Sequence, residues 1–397
     1  MRSTRLLLLG AIAAGMLVPV TLPVPVLRAL VTERFHVSEF WTSLFMSINM
    51  VAAFVVAPAA GAISDRIGRR KAILVGALAV DGALLLALSL RMSFPAFLAL
   101  RFAEGASHIT ALSLLLATAA DGAGPAARGR TMGTLGAGMM FGTATGAAIG
   151  GFLGQSDPLL PLRAGALLSW LVGACAWFVL PDVPAASHRP ALREIVGVVA
   201  ADRSLLVPLG FAFIDRFTVG FYTTTFSLYL TRIHEVPRRD IGVLLALFLY
   251  PFALLSYPCG RLCESRSRTL LLCGGSVLYG LGTASLGWWP AEHLGWLMVG
   301  LGLASAVMFA PSLILATDLA DRRTKATALG AFNAAGSLGF LVGPLAGGFI
   351  SQSVERWTSS WLAGYRAAFI VAGASEVLCV LVGLPFLLRL VRSGRTT

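Results

Sequence analysis

The stretch GAISDRIGRRK, Gly61 to Lys71, decides how the rest of the chain is read. It is a short charged segment set between two apolar runs, 40–61 and 71–90. Each run has about the 20 residues that a helix needs to cross roughly 30 Å of hydrocarbon. The segment also has an echo. Gly61, Asp65 and Arg69 recur 199 residues later as Gly260, Glu264 and Arg268, again just after an apolar run.

Working outward, the chain holds twelve such runs: 5–27, 40–61, 71–90, 95–118, 131–153, 163–180, 205–230, 241–260, 268–288, 294–317, 326–350 and 364–388. Backbone groups cannot go unpaired in lipid, so these are expected to be helices. The alternation that membrane strands need is absent. Of the 397 residues, 57% are hydrophobic and 13% charged, and mean hydropathy is +0.81. That is about half the charge of a soluble domain and more apolar surface than a soluble core hides. Arg2 and Arg5 ahead of the first run imitate a secretory signal, but the run extends to about Leu27, which reads as an uncleaved first span.

The longest connection, 181–204, holds Pro181, Pro184 and Pro190 with mixed charges. The expected organisation is therefore an all-α membrane protein. Twelve transmembrane helices form two pseudo-symmetric six-helix bundles, 1–180 and 205–397, joined by 181–204. The net charge of +12 would suit nucleic acid, but the charges lie elsewhere. With the N-terminus inside, 20 of the 31 basic residues fall in cytoplasmic segments, nine in outer loops and two, Arg101 and Arg216, within spans. This is the positive-inside pattern, with both termini cytoplasmic, and no nucleic acid is needed to explain it.

Several chemistries are excluded. Neither lysine, Lys71 or Lys325, precedes Ser or Thr, so there is no Walker A motif. Gly136 and Gly138 lack the strand and acidic partner of a nucleotide fingerprint. The five cysteines and five histidines are scattered, which points to no metal, no cofactor and no catalytic centre.

The repeat extends further. Asp121 and Asp318 each end an apolar run, 197 residues apart. Gly133, Gly146, Gly150 and Gly151 recur as Gly330, Gly343, Gly347 and Gly348 at the same offset. A parallel repeat of six spans plus six is an architecture of secondary transporters.

GAISDRIGRRK resembles the loop signature between the second and third spans of the major facilitator superfamily, G-x-L-A-D-R-x-G-R-R-K, with Ile63 for Leu and Ser64 for Ala. RFAEG, Arg101 to Gly105, resembles the fourth-span R-x-x-Q-G signature. GAAIGG, Gly146 to Gly151, is similar to the fifth-span antiporter signature, with Ala147 for its proline. That proline is present in the eleventh span, as Pro344 of GPLAGG. PAARGRTMG, Pro125 to Gly133, looks like the matching loop of drug-efflux members. The resemblance covers the whole chain, and its motifs are closest to 12-helix drug/proton antiporters.

It implies a cytoplasmic latch of Gly61, Asp65, Gly68, Arg69 and Asp121, with a counterpart of Glu264, Arg268 and Asp318. Arg69 is expected to reach Asp121. The residues themselves point to three further groups. Arg101, Glu104 and His108 share one stripe of the fourth span, where buried charges face a cavity or a partner. Glu104 and His108 are candidate proton carriers. The seventh span presents Asp215, Thr218, Tyr222, Thr225 and Tyr229 on one face, with Asp215 near mid-membrane; tyrosines suit amphiphilic substrates. Gly142, Gly146 and Gly150, spaced by four and repeated around Gly343, Pro344 and Gly347, suit close helix packing. Asp81 and Glu376 lie in the third and twelfth spans, which the resemblance places outside the bundle, implying a helix-pairing role. The expected function is secondary transport of a small amphiphilic molecule as a monomer in a bacterial inner membrane, coupled to protons and directed outward. Proton-coupled uptake, or a metabolite carrier of the same superfamily, is the alternative. A membrane enzyme or a receptor fits less well, lacking converging ligands or an added soluble domain.

Overall fold

The computed structural model describes residues 3–67, 69–122, 128–181, 192–265, 267–320 and 325–392. Among them the elements are helical throughout. In the first half these are α1 (Ser3–Thr21), α2 (Glu39–Ile67), α3 (Arg70–Leu88), α4 (Phe94–Gly122), α5 (Arg128–Leu153) and α6 (Leu160–Val179). A short α7 (Leu192–Ala201) follows. The second half holds α8 (Leu206–Phe221), continued by α9 (Ser227–Ile233), then α10 (Arg238–Ser265), α11 (Arg268–Ser285), α12 (Leu294–Asp318), α13 (Lys325–Thr358) and α14 (Trp361–Arg392). Nine helices among the described residues are long and apolar enough to cross a membrane. Glycines in α5 and the charged stripe of α4 lower their hydropathy without shortening them.

The chain forms two compact units, Met1–Arg189 with Pro237–Leu249, and Pro190–Val236 with Tyr250–Thr397. In the first, α1 packs along α5, and the contact is backbone to backbone. A Cβ on Gly138, Gly142, Gly146 or Gly150 would overlap the carbonyl of Gly10, Ala14, Val18 or Leu22 respectively. Thr21 Oγ1 donates to Thr143 O at 2.7 Å across the same seam. In the second unit α8 lies along α13 in the same way. Gly339 meets the Phe213 carbonyl, Gly343 the Phe217 carbonyl, and Gly347 the Thr225 hydroxyl. A Cβ on Gly220 would come within 2.6 Å of Pro344 Cδ. Stripes of small residues let helices approach this closely where lipid gives no hydrophobic drive.

A second pairing repeats too. Gly82 of α3 sits against Trp170 and the Ala166 carbonyl of α6, and Gly280 of α11 against the Gly373 carbonyl of α14. Large apolar side chains point outward: Phe178 is 85% exposed, Leu270 69% and Val382 66%. Large apolar side chains exposed to this degree suit lipid contact. One feature has no sequence signal. The continuation of α1 is a π-helix over Arg28–Glu33, and α8 passes into a π-helix over Tyr222–Phe226. The first lies just past the first span, and the second within the first span of the second half.

The seams carry a stability prediction. Gly142→Ala and Gly343→Ala force backbone apart and should each cost roughly 1–3 kcal/mol. Gly136→Ala, with open space around it, should be neutral or gain up to about 1 kcal/mol. Thermal unfolding in detergent should show lowered midpoints for the first two and none for the third.

Candidate functional site

Arg101, Glu104 and His108 all turn inward from α4 and are 1%, 1% and 5% exposed. Arg101 Nη1 donates to Glu104 Oε2 at 2.7 Å. Asn49 Nδ2, from α2, donates to the same oxygen at 3.2 Å. The guanidinium lies over the Phe45 ring, 4.8 Å from its centroid, and that ring stacks on Phe97. The glycine of RFAEG explains how α2 comes so near. A Cβ on Gly105 would lie 2.7 Å from both the carbonyl and the side-chain oxygen of Asn49.

Asp81 completes the group from α3 and is fully buried. Ser169 Oγ, on α6, donates to Asp81 Oδ2 at 2.7 Å, while Oδ1 lies 3.8 Å from His108 Nδ1. Asp81, Glu104 and His108 each bring one ligand-type atom within 4.8 Å of the others. Neither ring nitrogen of His108 has a hydrogen-bond partner. One nitrogen and two carboxylates suit a transition metal in type. Arg101, however, already occupies Glu104 and fixes a positive charge beside the place such an ion would take. Asp81 does pair α3 with α6, as a helix-pairing role requires, but the same carboxylate faces the charged stripe of α4. Sequence reading gave it no such neighbour.

In the second unit Asp215 pairs with the adjacent Arg216, whose guanidinium lies 4.8 Å from the Phe309 centroid. Tyr222 is 2% exposed, and its hydroxyl bonds the Thr283 hydroxyl of α11 at 2.7 Å. It is therefore packed within its own unit. Glu376 is fully buried on α14, and neither carboxylate oxygen makes a well-aligned hydrogen bond. Thr218 and Asp215 are its polar neighbours. Outside the spans, burial lowers the Arg34 guanidinium, which donates to the Leu88 carbonyl at 2.9 Å, and lowers the His234 imidazole, bonded to the Tyr229 hydroxyl at 2.8 Å.

The latch differs from expectation in one residue. Asp121 is paired with Arg70, not Arg69, and both side chains of that pair are 1% exposed. Arg69 precedes the helix as its N-cap and is exposed. Successive helical residues point about 100° apart, so the first residue inside α3 turns toward the end of α4 while its neighbour turns away. Arg268 pairs with Asp318 at the matching ends of α11 and α12, more openly, at 25% and 34% exposure. Gly68 and the side chains of Asp65 and Glu264 lie outside the described residues, as does the surrounding of Gly61.

A profile of the Major Facilitator Superfamily matches residues 7–222 and 209–396, one copy for each half. The chain belongs to the major facilitator superfamily. The family and fold are those of membrane transporters of small molecules. The 3-(3-hydroxy-phenyl)propionate transporter of Escherichia coli (strain K12) is 25% identical over 361 residues, 86% of this chain and 85% of that protein. Human protein spinster homolog 1 is 27% identical over 188 residues, 45% of this chain, and the match spans about a third of that protein, 34%. Among solved structures, a bacterial homolog to the human lysosomal transporter Spinster, inward-facing and unoccupied, shares the fold with a TM-score of 0.84 at 16% identity, over 97% of this chain and 98% of that one. The human organic anion transporter MFSD10 does so with a TM-score of 0.68 at 21% identity, over 96% and 100%.

The corrected latch gives a paired test. Arg70→Ala removes a buried ion-pair partner of Asp121 and should cost about 1–3 kcal/mol. Arg69→Ala, on an exposed residue, should stay within about 0.5 kcal/mol. Thermal stability of the two variants in detergent separates them.

Proposed function

We propose that this chain is a secondary active transporter that exports a small amphiphilic organic molecule in exchange for protons. It works by alternating access, as a monomer, in a bacterial inner membrane with both termini in the cytoplasm. The observation that carries the reading is the buried group Asp81, Arg101, Glu104 and His108. Ionisable side chains at bilayer depth are costly and mark ion pathways and proton relays. Asp215, with Tyr222 behind it, is the corresponding candidate of the second half. The Arg70–Asp121 and Arg268–Asp318 pairs, with Asp65 and Glu264, serve as latches that favour one state of the cycle.

Two relatives support the choice of a first probe. One is named for organic anions and the other for an aromatic propionate, so an aromatic carboxylate is the first probe. Export is supported by the RGRTMG stretch and the glycine-rich fifth span.

The test uses purified protein in vesicles and labelled 3-(3-hydroxyphenyl)propionate as the probe. An imposed proton gradient should drive flux of the parent. Glu104→Gln and Asp215→Asn should fold but lose about tenfold or more of that flux, a change of about 1.4 kcal/mol or more in barrier. Parent-like rates in both variants at every gradient would place coupling elsewhere.

A further inference from the structure

The charges of the α2–α3–α4–α6 cluster do not balance. Glu104 Oε2 accepts from both Arg101 and Asn49, the environment of a carboxylate anion. Asp81 accepts from Ser169. Two anions against one guanidinium leave one negative charge uncompensated where burial of an unpaired ion is most costly. One further positive charge is needed, a proton held by Asp81 itself or by the more basic imidazole beside it.

His108 is placed to supply it. Its Nδ1 lies 3.8 Å from Asp81 Oδ1, it reaches Glu104 within 4.8 Å, and its nitrogens are not engaged elsewhere. The groups around it are few. α3 brings Asp81, α4 brings Arg101 and Glu104, α2 brings the neutral Asn49 and α6 the neutral Ser169. α1 and α5 also pack on α4 and bring no charged side chain to the ring among the described residues. A proton on His108 makes the cluster neutral. A divalent metal would overshoot to a net positive charge beside Arg101. The same count says that Glu104 is not the group that exchanges its proton, because Arg101 and Asn49 already satisfy its anion.

We infer that His108 takes up and releases the exchanged proton, and that Asp81 is the positioning residue that holds it as an imidazolium. The inference rests on the proton-coupled reading above and sharpens it. Loss of the proton leaves Asp81 without a counter-ion, so the charge state of His108 governs the attraction between α3 and α4. Glu104→Gln then disturbs coupling through the charge count, since Arg101 alone would balance Asp81.

The test is nitrogen-15 NMR of the full chain in lipid nanodiscs near pH 7, with histidine labelled and His108→Gln identifying the signal. The parent should show His108 as an imidazolium. Asp81→Asn, which keeps an acceptor for Ser169, should convert it to neutral imidazole, and Asp81→Glu should restore the imidazolium. Should Asp81→Asn fail to fold, Glu104→Gln serves as the second variant, with the same loss of the imidazolium expected. A neutral His108 in the parent, or an imidazolium indifferent to these changes, overturns the assignment. So does stoichiometric Zn²⁺ binding, titrated with the metal alone, that His108→Gln abolishes. The NMR readout needs neither substrate nor gradient. An imidazolium without proton-driven flux would defeat the transport reading alone, and a neutral His108 with intact flux would defeat this inference alone.

Discussion

A charge at bilayer depth has no water to screen it, and every ionised side chain there must find a partner of opposite sign or give up its charge. The interior of this protein is arranged around that constraint. Arg101 is matched to Glu104, Arg216 to Asp215 and Arg70 to Asp121. Among the described residues, Asp81 faces His108 in one unit, and Glu376 of the other forms no ion pair. On the reading proposed above, His108 is the one of these that carries the exchanged proton.

The second constraint is geometric. The α1–α5 and α8–α13 seams bring backbones into contact through glycines at every fourth residue. Packing of that kind is stiff across the seam and leaves few side chains to rearrange within it. Each pair is thus held as a unit. The π-helical stretches, 28–33 and 222–226, occur in the continuations of the two helices that carry these seams. Irregular turns of this sort often lie at functional positions. Their repetition in both halves argues for a shared device and against an accident of one helix.

The sequence carried much of the fold and less of the site. Twelve apolar runs and a glycine pattern repeated at an offset of 197 residues were readable because helix length and helix approach impose local rules. The charged stripe of α4 was readable for the same reason, since its three members share one helix face. Asp81 was not. It stands alone in the apolar run of α3, and its partners, Ser169 and His108, lie on other helices far along the chain. Arg69 and Arg70 could not be separated without knowing which residue opens α3, and one position decides which of them meets Asp121. The π-helical stretches leave no mark on composition. Tyr222 shared the face of Asp215 on paper, but its hydroxyl is spent on Thr283 of a neighbouring helix.

In the proposed exchange, substrate and protons move in opposite directions through one protein. Vesicles containing the purified chain, lightly buffered and watched with an external pH indicator, test it directly. When 3-(3-hydroxyphenyl)propionate is added outside and enters down its gradient, exchange requires protons to leave and the medium to acidify. Acidification that disappears in Glu104→Gln is the predicted result. A medium that turns alkaline would mean co-transport, and a substrate influx with no change in pH would contradict proton coupling altogether.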